Sequence, residues 1–140
     1  MALVHGHDGQ VQALKYFLNK DFSEDQKLRL FINDITPDRA TVAADLTEMS
    51  TLGYAAKDLA GANWAVAAGA TESDPAQASY AQQVFTFEAG DTVPVYGYYV
   101  QGAVTGKLLW VERFTDGPYP IANLGDQIKI TPKFTQGGVV

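Results

Sequence analysis

Along most of this chain apolar residues alternate with polar ones or gather in short runs. Only once do they recur at helical spacing. That segment is GQVQALKYFLNK, residues 9–20, where Val11, Leu14, Phe17 and Leu18 lie three or four apart and form one stripe. Asp8 is placed to cap it, and Asn19 to Asp21 to stop it. A helix this short does not hold in water alone, so its stripe is expected to cover a core. A partner-binding arm is the other reading.

The rest reads as strands. KLRLFINDITP sets Leu28, Leu30 and Ile32 on one face and Arg29 and Asn33 on the other, with Phe31 joining the polar side and Pro37 ending the run. TVAADLTEM is a weaker strand, and TLGYAAKDLAG a loop or short helical turn. NWAVAA is a short strand anchored by Trp64, and GATESDPAQAS is a loop. YAQQVFTFE alternates Val84 and Thr86 with Phe85 and Phe87. VPVYGYYV and KLLWVERF, joined by QGAVTG, make a hairpin. QIKITPKF closes the series, and Pro132 places that strand on an edge or at a bulge.

About six to eight short strands and one N-terminal helix predict a mainly β fold: an antiparallel two-sheet sandwich, jelly-roll or immunoglobulin-like. Residues 1–9 read as an N-terminal arm, 10–134 as a single domain and 135–140 as a C-terminal tail. The hairpin is apolar on both sides. Tyr96, Tyr98 and Val100 oppose Val95 and Tyr99, while Leu108 and Trp110 oppose Leu109 and Val111. One face must fill the core; the other needs a cover, from this chain or another.

Composition narrows the function classes. With 140 residues, 46% of them hydrophobic, one domain can bury its own core. The absence of cysteine removes disulfides, thiolate nucleophiles and cysteine zinc sites. A formal charge of −6, with the ten Lys and Arg scattered, argues against nucleic acid as a partner. No apolar run reaches the roughly 20 residues of a membrane span, and the N-terminus has no signal-peptide pattern, so no membrane partner is expected.

Candidate chemistry is thin. His5, His7 and Asp8 in HGHD resemble a fragment of a metal site, but a polar arm is the preferred reading and no metal or other cofactor is expected. A Ser–His pair would have to use those same histidines, and no Gly-x-Ser-x-Gly elbow occurs. Glu48, Asp58, Glu88 and Asp91 are the carboxylates that a glycosidase pair would draw on. The Gly-Asp pairs of GDTVPVYG and LGDQIKI fit turns better than calcium loops. Tyr54, Tyr96, Tyr98, Tyr99, Trp110 and Tyr119 are candidates for stacking on sugar rings; the competing role is core filling. No catalytic residue is assigned, and the chain is not expected to be an enzyme.

The segments KLRLFINDITP, GYAAKDLAGANW, YAQQVFTFEAGDTVPVYGYYV and LLWVERFTDGPYPIANLGDQIKITPKF occur in this order. Together with the ALKYFLN helix they resemble a group of small β-proteins of tailed bacteriophages and prophages, over residues 11 to 134. YGYYV, LLWVERF and IKITPKF carry most of the likeness. The resemblance implies a virion structural protein, a capsid decoration or cement subunit on the outer head surface. Its partners would be the major capsid protein and copies of itself, after synthesis in the host cytoplasm. A tail or baseplate component comes second, and a carbohydrate-binding module for host recognition is the competing class. On the cement reading, Met1–Gly9 and Thr135–Val140 reach neighbouring subunits. The contact residues are then His5, His7, Tyr98, Tyr99, Trp110, Tyr119, Val139 and Val140.

Overall fold

Leu28, Leu30 and Phe31 are fully buried, and the strand that carries them is the centre of the molecule. The computed structural model describes residues 3–18, 20 and 24–136. Among these the chain is mainly β: α1 (His7–Phe17), β1 (Gln26–Phe31), β2 (Lys57–Leu59), β3 (Ala65–Ala67), β4 (Ala76–Ser79), β5 (Gln83–Thr86), β6 (Gly97–Gly102), β7 (Leu108–Arg113), β8 (Gln127–Ile130) and β9 (Lys133–Gln136). Two short 3-10 turns, Ala43–Asp45 and Gly61–Asn63, complete the elements. All described pairings are antiparallel, in a four-stranded sheet β2-β1-β6-β7, a three-stranded sheet β3-β4-β9 and a ribbon β5-β8.

The predicted hairpin forms β6 and β7, and both its apolar faces are covered within the chain. Tyr98, Val100 and Trp110 join the main core with Leu28, Leu30, Leu59, Phe85, Phe87, Ile128 and Ile130. Tyr99, Leu108 and Val111 face a smaller cluster with Phe31 and Leu46, closed over by Val4, Ile35 and Tyr96. Phe31 is therefore core, not part of a polar face. A register shift at Val100/Gln101 explains why Leu108 and Trp110 end on opposite sides instead of sharing one. Likewise Tyr96 separates from Tyr98, because the regular strand begins only at Gly97. A Cβ at Gly97 would lie 2.2 Å from the Glu112 carbonyl oxygen and 2.6 Å from the Phe31 ring, so only glycine fits.

Four further expectations are corrected. Residues 57–59, read as loop or helical turn, pair with β1; residues 76–79, read as loop, pair with β3 and β9. Both are too short and too polar or alanine-rich to alternate visibly. QIKITPKF is not one edge strand but two. Pro132 cannot donate to a ladder, and the chain there leaves the β5-β8 ribbon for the β3-β4-β9 sheet. The described part of the N-terminal segment, residues 3–9, is docked on the domain: Val4 exchanges two backbone hydrogen bonds with Val111 at 2.8 and 3.0 Å, and α1 already begins at His7.

The helix itself is turned the other way round. Gly9 and Gln12 are its buried residues, while Val11 (50% exposed), Leu14 (62%), Phe17 (86%) and Leu18 (67%) face outward. The inward stripe is Gly9, Gln12, Ala13 and Tyr16, itself a helical i, i+3, i+4, i+7 set. Small residues there let α1 press onto β7, and a Cβ on Gly9 would stand 2.0 Å from the Leu109 carbonyl oxygen. The apolar stripe does not cover the core.

Candidate contact surface

Three of the predicted contact residues belong to the interior. Tyr98 (6% exposed), Tyr99 (4%) and Trp110 (7%) fill the two clusters, and of the three only Trp110 borders a surface groove. Burial first, and the nearby Glu48 carboxylate next, push the Tyr99 phenol up to about 12. Burial is also the main reason that the Tyr54 and Tyr98 phenols are raised. Tyr119 is half-buried, stacked on Phe114 at 4.5 Å with its hydroxyl donating to Asp116. Val139 and Val140 lie outside the described residues.

The HGHD residues do not act together. His5 sets its ring edge against Phe134, centroids 4.8 Å apart, while His7 is exposed at the start of α1. Among the described residues no group of three or more His, Asp or Glu is arranged to hold a metal ion. Each carboxylate of the proposed glycosidase set has a separate setting. Glu48 accepts from Arg29 Nη1 at 2.6 Å and from the Tyr54 hydroxyl at 2.9 Å. Asp58 pairs with Lys27 at 2.6 Å, which holds its carboxyl below the usual value. Asp91 accepts from the Thr51 hydroxyl and, at 2.9 Å, from the Val93 N–H; these bonds lower it too. Glu88 is exposed. These groups brace turns and strands of the scaffold. Asp126 does the same for the loop before β8, accepting from the N–H groups of Ala122 and Asn123.

Between α1 and the β3-β4-β9 sheet runs a groove floored by Trp64, Trp110 and Phe134, with Val66 and Ala78 on one side and Ala13 and Tyr16 on the other; its volume is about 240 Å³. The rings interlock edge-on and tilted, Trp64 with Trp110 at 5.9 Å and Trp110 with Phe134 at 4.9 Å. This is not the flat strip that a sugar would stack on. Its polar neighbours are engaged as well: Gln26 Oε1 accepts from Trp64 Nε1 at 2.9 Å, and the Tyr16 hydroxyl donates to Glu24 at 2.8 Å. A second, wider hollow of about 620 Å³ opens beside it, lined by His5, Gln10, Ala13, Leu14, Phe17 and Gln136. His5 and Ala13 border both, so the two lie next to each other.

The outer face of α1 and this groove are the candidate contact surface. His5 of the predicted set lines it, and Leu14, Phe17 and Val66, which line it too, were not in that set. The stripe was visible; the small residues at Gly9 and Ala13 were the signal that the opposite face is the docked one.

Compared with protein-family models, curated proteins and solved structures, the chain matches none.

Proposed function

We propose that this protein works by contact rather than catalysis, as a structural subunit of a tailed-phage particle: a decoration or cement protein of the capsid. The observation that carries the reading is the helix face of Val11, Leu14, Phe17 and Leu18, held outward on a well-packed domain. Exposed apolar patches of this kind mark sites of association. Meanwhile Glu48, Asp58 and Asp91 are engaged in bracing the fold. The phage assignment rests on the sequence resemblance, and the geometry is compatible with it. We also read the fold as a two-layer sandwich. Residues of the four-stranded sheet and of the β5-β8 ribbon share one core, as two facing layers would, without deciding between jelly-roll and immunoglobulin-like order.

The test is the copy number of the protein in purified particles, measured by quantitative mass spectrometry against the major capsid protein. A simple fixed ratio to the capsid protein supports the reading. A few dozen copies per particle moves the protein to the tail or baseplate, and absence from particles rejects the virion role.

A further inference from the structure

We propose that α1 is the centre of a two-fold interface between two copies of this chain. A two-fold contact uses the same patch on both molecules, so the patch must be complementary to itself. This one carries a knob and a hole side by side. Phe17, 86% exposed, projects at the C-terminal end of α1. The 620 Å³ hollow beside it runs along the same helix, lined by His5, Gln10, Ala13, Leu14, Gln136 and one side of Phe17 itself. An antiparallel crossing of two α1 helices centred between Ala13 and Leu14 sets each Phe17 opposite the other copy's Gln10. Each knob then enters the other's hole.

Three further points favour a second copy as the occupant. Val11, Leu14 and Leu18 have the alternating spacing of three and four that pairs helices along a seam. None of the four outward residues is ionised, so two acidic molecules can meet there without placing like charges in the contact. The area suffices as well. The four side chains expose roughly 400–500 Å² per copy, and pairing both faces together with the hollow's rim gives about the 1,000 Å² that a specific interface needs. An anionic membrane surface fits less well, since the molecule carries −6 and Lys15 is the single lysine of α1.

This inference rests on reading the α1 face as a contact surface, and it is independent of the virion assignment. The experiment is sedimentation of the purified full-length protein from about 1 to about 100 μM. The wild type is expected to sediment as a dimer over the upper part of that range. Phe17→Asp is expected to sediment as a monomer with an unchanged circular dichroism spectrum. A second variant covers a misfolded Phe17→Asp. Leu14→Cys, in a chain without cysteine, should give a disulfide-linked dimer on mild oxidation. A wild type that stays monomeric at the highest concentration overturns the proposal. So does an oligomer that survives Phe17→Asp, or a Leu14→Cys protein that does not cross-link. A monomer that still appears in particles at a fixed ratio would reject the dimer and leave the virion role standing.

Discussion

The Tyr16 hydroxyl donates to the Glu24 carboxylate at 2.8 Å, tying α1 to the loop of the β6–β7 hairpin. The same carboxylate accepts from the Thr105 hydroxyl at 2.6 Å and from the N–H groups of Thr105 and Val104 at 2.9 and 3.0 Å. Four donors thus converge on one side chain that is only 9% exposed. Removing it takes away four hydrogen bonds to a charged group, a loss of about 2 kcal/mol. Glu24→Ala is expected to lower the urea midpoint accordingly, with an unchanged slope, while Tyr16→Phe loses less than half as much.

The same group makes stability depend on pH. Burial raises the Glu24 carboxyl, but the bonds from Thr105, Tyr16 and Val104 together outweigh it, and the net shift is below the usual value of 4.5. The unfolded chain titrates near that usual value. The stabilisation is therefore complete above about pH 5 and is lost as pH falls through the lower folded value. The midpoint difference between wild type and Glu24→Gln should hold steady from pH 7 to 5 and shrink below pH 4.5. A difference that stays constant down to pH 3 would contradict this.

Gly97→Ala tests the packing of β6. The added carbon would sit 2.2 Å from the Glu112 carbonyl oxygen, which is backbone and cannot swing away. Overpacking against fixed atoms costs about 3 kcal/mol. Thermal unfolding should occur well below that of the wild type, whereas Gly61→Ala, whose nearest neighbour stands at 3.5 Å, should be nearly silent.

Trp110 and Phe17 provide a contrasting pair. Trp110→Ala opens a void under Phe134 and Trp64 and should cost about 3–5 kcal/mol. Phe17→Ser removes an 86% exposed ring and should leave the stability of the isolated molecule within about 0.5 kcal/mol. Chemical denaturation at low protein concentration checks both. Similar losses would mean that the assignment of core and surface is wrong.

The small sheet should also open first. Ala65, Val66 and Ala67 are exposed, as are Ala76 and Gln77, so little apolar burial holds β3 and β4. Amides of β3 and β4 are expected to exchange hydrogen orders of magnitude faster than those of β1, β6 and β7, with amide exchange by mass spectrometry as the measurement.

How far the sequence disclosed this structure depended on how long each apolar signal ran. β1 was legible because Leu28 and Leu30 alternate with Lys27 and Arg29, and β6 and β7 because apolar residues fill both faces over most of each strand. β2 and β4 were not, since three or four residues such as Lys57–Leu59 and Ala76–Ser79 gain their order from neighbours already in place. The helix was found, but periodicity reports a stripe and not the direction it faces. Gly9, Gln12 and Ala13 dock because they are small or can be buried against β7, while the bulkier Val11, Leu14 and Phe17 are left outside. The aromatics of the hairpin were assigned to contacts because nothing local showed that Val4, Ile35 and Tyr96 would close over their second face.

Only Thr131 and Pro132 separate Ile130, at the end of the core ribbon, from Lys133, at the start of the small sheet. That corner is pinned, because the Tyr80 N–H donates to the Pro132 carbonyl at 3.0 Å, and proline fixes its own backbone angle. Mechanically the small sheet is a lever with its fulcrum at Pro132. A pull on the far end of β9, at the rim of the groove, turns about this point and arrives at Ile130, wedged among the core residues. Tension taken up at the surface is thereby delivered to the stiffest part of the molecule.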